Sequence, residues 1–120
     1  EAHRLGLPYA LHICGRTDRI LDDMLATGAD ALELDYKTDA RLAHDRMKDR
    51  AVFIGNIDPS GVLAHGSAAQ VREAARRLIE TWKPGGRFVL NAGCALPAMT
   101  PPENIRALVA AAEEFGRYDT

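Results

Sequence analysis

Long apolar runs are missing from this chain. No stretch approaches the roughly 20 residues that cross a membrane as a helix, so a membrane partner is not expected. There is no basic start followed by an apolar core and a small-residue cleavage site; no secretory signal is read, and a cytoplasmic location is expected. Basic runs and basic–aromatic interleaving are also missing, which argues against a nucleic-acid partner. Long linkers and low-complexity segments are lacking. Cysteine is scarce: Cys14 and Cys94 are the whole supply.

What is present is ordinary in bulk. The chain has 120 residues, 47% hydrophobic and 27% charged, with a formal net charge of −2. That length allows at most one small domain, taken as residues 1–120. The opening Glu1-Ala2-His3-Arg4-Leu5-Gly6 reads as the last turn of a helix closed by glycine, with the expectation that a preceding segment is missing.

Strand and helix patterns alternate. A first strand is predicted over Tyr9–Ile13, then a helix opened by Thr17 or Asp18 and ended by Gly28, with Ile20, Leu21, Met24 and Leu25 on one face. A second strand spans Ala31–Leu34, and Thr38 or Asp39 caps a helix that buries Leu42, Ala43 and Met47. The third strand spans Ala51–Ile54, followed by the loop Gly55–Pro59 and a short turn at Ser60–Ala64. Ser67 and Gln70 form a capping box before the stripe Val71, Ala74, Ala75, Leu78, Ile79, Trp82, which recurs at helical spacing. Lys83-Pro84-Gly85-Gly86 breaks that helix. A fourth strand spans Arg87–Leu90, and the loop Asn91–Met99 leads to a second capping box at Thr100–Glu103. The last helix carries Ile105, Leu108, Val109, Ala112 and Phe115, closes at Gly116, and leaves a fraying tail, Arg117–Thr120.

Such alternation implies an α/β fold with a parallel sheet. Four consecutive βα units are half of an eight-fold barrel. Half a barrel has two open edges, so the chain is expected either to lack an N-terminal half or to associate as a homodimer through those edges.

The polar residues gather at the carboxyl ends of the strands: His12 and Cys14, then Asp35, then Asn56 and Asp58, then Asn91 and Cys94. Barrel enzymes place their chemistry there. The strand interiors are apolar, Glu33 excepted. On an extended strand, residues two apart share a face, so the His12 imidazole and the Cys14 thiol converge, and Cys94 can join them. Without a secretory signal, a disulfide between the cysteines has little support, and metal ligation is preferred to it and to two unrelated thiols. Three protein ligands with one open position is the pattern of catalytic zinc. One neutral and two anionic ligands balance the charge of Zn²⁺, and a substrate thiol joining such a site loses its proton. A sulfur-rich set favours alkyl transfer to sulfur over activation of water. Asp35 has equal claims as a carboxylate at the open position and as a partner for loop amides. Asn56 and Asp58 suit catalysis and turn formation equally. Arg16 is more in keeping with a solvated arginine than with an anion-binding group, His44 and His65 with a helix and a loop residue, and Trp82 with packing.

His12-Ile13-Cys14-Gly15, Gly28–Asp35, Gly55-Asn56-Ile57-Asp58-Pro59, Gly93-Cys94-Ala95-Leu96-Pro97 and Thr100–Ile105 together resemble the C-terminal half of the uroporphyrinogen decarboxylase superfamily. Within it, the pair His-x-Cys with a late Cys is similar to the zinc-dependent methylcobamide:thiol methyltransferases, the coenzyme M type among them. That resemblance implies a TIM barrel, with His12, Cys14 and Cys94 as zinc ligands and Asp35 where these enzymes tend to offer a carboxylate; Asp35, Asn56 and Asp58 are the catalytic candidates. It also implies a corrinoid protein as partner, its methylcobamide the methyl donor, and a small thiol as acceptor. Two other readings accompany it: a metal-free, decarboxylase-like protein (a lyase), and a non-catalytic half-barrel held as a homodimer.

Overall fold

The structure, a computed structural model, describes residues 1–119. Four parallel strands lie in sequence order: β1 (Ala10–Ile13), β2 (Ala31–Leu34), β3 (Val52–Ile57) and β4 (Phe88–Ala92). Each is followed by a helix: α1 (Leu21–Ala26), α2 (Ala40–Met47), α3 (Ala68–Trp82) and α4 (Pro102–Phe115). Parallel neighbours need crossover connections, and the helices supply them. These are the four βα units of half a barrel, and one edge of β1 and one of β4 have no strand partner among the described residues.

The register pairs His12 with Glu33, Glu33 with Ile54, and Ile54 with Val89. Alternation along each strand sends Leu11, Ile13, Leu32, Leu34 and Phe53 outward beneath the helices, into the core that holds Met24, Met47 and Trp82. The other face carries Ala10, His12, Glu33 and Val89 and stays partly open. Trp82 is fully buried and stacks on Phe53, ring centroids 4.4 Å apart, which pins α3 to the sheet. His44 meets the Trp82 edge at 4.9 Å. The His44 ring is partly exposed and its Nδ1 lies 3.7 Å from Asp45 Oδ1, while its Nε2 is buried without a hydrogen-bond partner among the described residues, as is Trp82 Nε1.

Several element boundaries differ from expectation. Helix α1 starts at Leu21 with no side-chain cap. Thr17 and Asp18, expected to open it, bond instead to the next loop: Thr17 N–H donates to Thr38 Oγ1 (2.9 Å), and Asp39 N–H donates to Asp18 Oδ1 (2.9 Å). Asp39 is the cap of α2, accepting from Arg41 and Leu42 N–H. Strand β3 runs on through Gly55-Asn56-Ile57, residues read as loop from their turn preference; pairing with Leu90, Asn91 and Ala92 overrides it. Gly55 is required there because a Cβ would lie 2.9 Å from the Leu34 carbonyl oxygen. Strand β4 likewise extends to Ala92.

Pro59–Ala64 forms a wide helical turn, with Leu63 N–H donating to Asp58 O and His65 N–H to Ser60 O. The box at Ser67 and Gln70 forms as expected. The second box does not: Thr100 Oγ1 donates to Pro97 O at 2.7 Å, and α4 begins after Pro101 without a side-chain cap. Val109 is 55% exposed, and α4 buries Asn104 and Ala111 instead. Asn104 Nδ2 donates to the carbonyls of Leu63 and Gly66, both at 2.8 Å, and so fastens α4 to the wide turn. In the tail, Arg117 Nε donates to Glu113 O (3.1 Å) and Tyr118 lies under Lys83; Thr120, also expected to fray, lies outside the described residues. No described helix is long and apolar enough to cross a membrane.

Two predictions concern stability. Asn104→Ala takes the donor from the buried Leu63 carbonyl and the half-buried Gly66 carbonyl and should cost about 2 kcal/mol in urea denaturation; an unchanged midpoint would remove the latch role. Hydrogen bonds from Arg76 and Arg77 hold Glu73 down at about 2, below its ordinary 4.5. A depressed carboxylate stabilises above its unfolded value and loses that contribution as pH falls through the folded one. Wild type should therefore melt above Glu73→Gln at neutral pH, and the gap should close between pH 4.5 and about 2.

Candidate metal centre

His12 and Cys14 reach one face from the end of β1, as two-residue spacing on a strand requires. His12 Nε2 lies 3.2 Å from Cys14 Sγ, and Cys14 Sγ lies 3.9 Å from Cys94 Sγ. One ligand atom from each of the three lies within 4.8 Å of the others, and both cysteines are free. Four-coordinate zinc takes sulfur at ~2.3 Å and imidazole nitrogen at ~2.0 Å, so donors this close can share one cation.

The imidazole is oriented for that task. Its Nδ1 lies 2.9 Å from the Glu33 backbone carbonyl, which can only accept, so Nδ1 carries the proton and Nε2 presents its lone pair to the sulfurs. The Glu33 carboxylate stands 3.5 Å from the same Nδ1. Cys94, bonded to it and repelling it, holds the Cys14 thiol above its ordinary pKa; lost water contact, Asp35 and Glu33 add smaller pushes in the same direction. With no cation, those groups oppose a second negative charge. A dication reverses the sign of the local field.

The side chains of Asp35, Asn56 and Asp58 are engaged with backbone, and Asp35 lies near Cys14. Buried Asp35 accepts from Gly15 N–H (2.8 Å) and Lys37 N–H (2.9 Å), which binds the Cys14 loop to the end of β2. Asn56 Nδ2 donates to the carbonyls of Asp35 and Thr38. Asp58 accepts from Ser60 and Gly61 N–H and caps the wide turn. These bonds hold loops at Asp35 and Asp58, whereas Asn56, read as a turn former, lies within β3. Arg16 is exposed and pairs with Asp18.

Two positions were not anticipated as parts of the site. Glu33 carried a signal, as the one charged residue inside an apolar strand, but its place beside His12 follows from the β1–β2 register. Gly93 gave little: a Cβ there would lie 2.4 Å from Tyr36 N, so only glycine lets the Cys94 loop lie against the end of β2.

A cavity of about 480 Å³ opens beside His12 and Cys94, lined also by Glu33, Asn91, Ala92, Ala95 and Leu96. A larger hollow of about 720 Å³ near Lys83, Pro84 and Tyr118 has no convergent ligating groups.

The sequence profile of the family "Uroporphyrinogen decarboxylase (URO-D)" matches residues 1–115. The chain belongs to that family. Similar members include a methylcobamide:CoM methyltransferase, MtaA, of Methanosarcina barkeri, 40% identical over 106 residues, and another, MtbA, of Methanosarcina acetivorans, 33% identical over 105. Each alignment takes in 88% of this chain and 30% of the relative. A uroporphyrinogen decarboxylase of Thioalkalivibrio sulfidiphilus is 39% identical over 89 residues, which is 74% of this chain and 25% of that protein. Among solved structures, a methyltransferase from Methanosarcina mazei superposes with a TM-score of 0.84 at 33% identity, covering 97% of this chain and 34% of the other. The chain thus spans about a third or less of the proteins it matches.

Gly93→Ala should displace the Cys94 loop, since a Cβ 2.4 Å from the Tyr36 backbone nitrogen cannot be accommodated without movement of the chain. Zinc affinity, read by competition with a chromophoric chelator, should fall on the order of tenfold or more. Unchanged affinity would show that the close approach does not set the position of Cys94.

Proposed function

We propose that this chain supplies the metal site of a zinc-dependent methyltransferase, which moves a methyl group from a methylated corrinoid protein to a small thiol. The convergence of His12 Nε2, Cys14 Sγ and Cys94 Sγ carries the reading, and the names of the methylcobamide:CoM methyltransferases among its relatives agree with it.

Zn²⁺ in such a site lowers the pKa of a thiol and keeps it nucleophilic at neutral pH. The chain's own groups do the rest. His12, Cys14 and Cys94 are the ligands. The Glu33 carbonyl holds the tautomer of His12, and Asp35 holds the loop that bears Cys14. Asn56 and Asp58 keep the neighbouring strand ends in place. Ala92, Ala95 and Leu96 form the apolar side of the cavity in which an acceptor sulfur would sit. The methyl group leaves the cobalt–carbon bond, whose electron pair stays with cobalt, and forms a new bond to sulfur.

Similarity to uroporphyrinogen decarboxylases supports a second, metal-free reading. It leaves the paired sulfurs beside an oriented imidazole without a role, and metal content separates the two. Protein purified without added metal should carry about one zinc per chain, and Cys94→Ser should lose it. Absence of zinc from wild type after incubation with Zn²⁺, or full retention by Cys94→Ser, would sink the proposal.

A further inference from the structure

Glu33 divides its carboxylate between two partners. One oxygen, Oε2, faces His12 Nδ1 at 3.5 Å, and the other, Oε1, accepts a hydrogen bond from Asn91 Nδ2 at 3.2 Å. Asn91 stands on β4, three residues before Cys94, and Glu33 on β2. The intervening strand places apolar Ile54 beside Glu33. A glutamate among such neighbours has several staggered rotamers open to it. The Asn91 amide is the side-chain donor that selects the one seen here.

We infer that Asn91 is a positioning residue of the metal site, acting on His12 through the Glu33 carboxylate. This rests on the zinc reading above and extends it to a residue outside the ligand set. The chemistry suits an amide. A carboxylate accepts only, so the bond fixes the amide orientation with Nδ2 toward Glu33. A lysine there would add a positive charge that competes with the cation for the two sulfurs. A neutral donor holds Glu33 without altering the charge of the site. The Nδ1 proton goes to the Glu33 carbonyl at 2.9 Å, so the carboxylate at 3.5 Å acts on the ring electrostatically; loss of a partner bonded to a ligating histidine costs about 10- to 100-fold in metal affinity, and Asn91, one step further out, acts at the low end of that range. The bond also links β4, which leads to Cys94, to β2, which orients His12.

The test is a double-mutant cycle on zinc affinity in the full chain, with Zn²⁺ itself as probe and a chromophoric chelator as competitor. Asn91→Ala should weaken zinc binding by about tenfold, while far-UV circular dichroism and the metal-free melting midpoint stay at wild-type values. In a Glu33→Ala background the same substitution should have no further effect, since the carboxylate it acts through is gone. Asn91→Leu keeps the shape of the side chain without its donor, should repeat the alanine result, and serves if the alanine variant does not fold. Wild-type affinity in a folded Asn91 variant, or an equal loss with and without Glu33, would overturn the inference while leaving the zinc reading intact. Failure of wild type to bind zinc would overturn both.

Discussion

The parallel register of β1 against β2 organises this molecule. It pairs His12 with Glu33, and the same offset of 20 or 21 residues continues beyond the strands in side-chain bonds. Gly15 donates to Asp35, Thr17 bonds Thr38, and Asp39 donates to Asp18. The two loops are sewn together where the ladder ends. Cys14 lies in the first of them, so its sulfur is held by a network of mostly backbone donors and compact side chains. A one-residue slip would send His12 and Cys14 to the helix-covered face and break every one of these bonds.

The second half of the site depends on close approach. Cys94 arrives from β4, two strands removed from the Cys14 loop's own neighbour, and reaches it because Gly93 rests against Tyr36 N. The extension of β3 through Ile57 matters for the same reason, since its pairing with β4 carries Asn91 and Ala92 to the height of the site. On the far side of the sheet, Trp82, Phe53 and Phe88 form the stacked aromatic layer against which α3 is set. The packed side of the sheet thus faces the helices, and the open side bears the candidate metal centre.

Much of the fold was legible in the residue order. Alternating periodicities located four strands and four helices, and the Ser67–Gln70 box and the stripe ending at Trp82 formed as expected, because local hydrogen bonds and a single apolar face suffice to define them. Most of the errors fell where long-range partners compete with local preference. Thr17, Asp18 and Thr38 look like helix caps and bond across to neighbouring loops instead. Gly55 and Asn56 look like a turn and form strand. Thr100 and Glu103 look like a capping box, yet the hydroxyl turns back to Pro97. In the first two cases a tertiary partner displaces the local one, whereas at Thr100 the competing acceptor is itself local, three residues back.

The sequence by itself determined that His12 and Cys14 share a face, because strand periodicity depends only on covalent geometry, and that the polar residues gather at the carboxyl ends of the strands. It also carried the family, through motifs spread over nearly the whole chain. Only the tertiary structure decided that Cys94 comes within 3.9 Å of Cys14, that Glu33 orients the imidazole, and that Asp35, Asn56 and Asp58 spend their hydrogen bonds on backbone. Those outcomes depend on the register between strands and on a glycine small enough to pass a backbone nitrogen. Both are properties of the packed sheet rather than of any one segment.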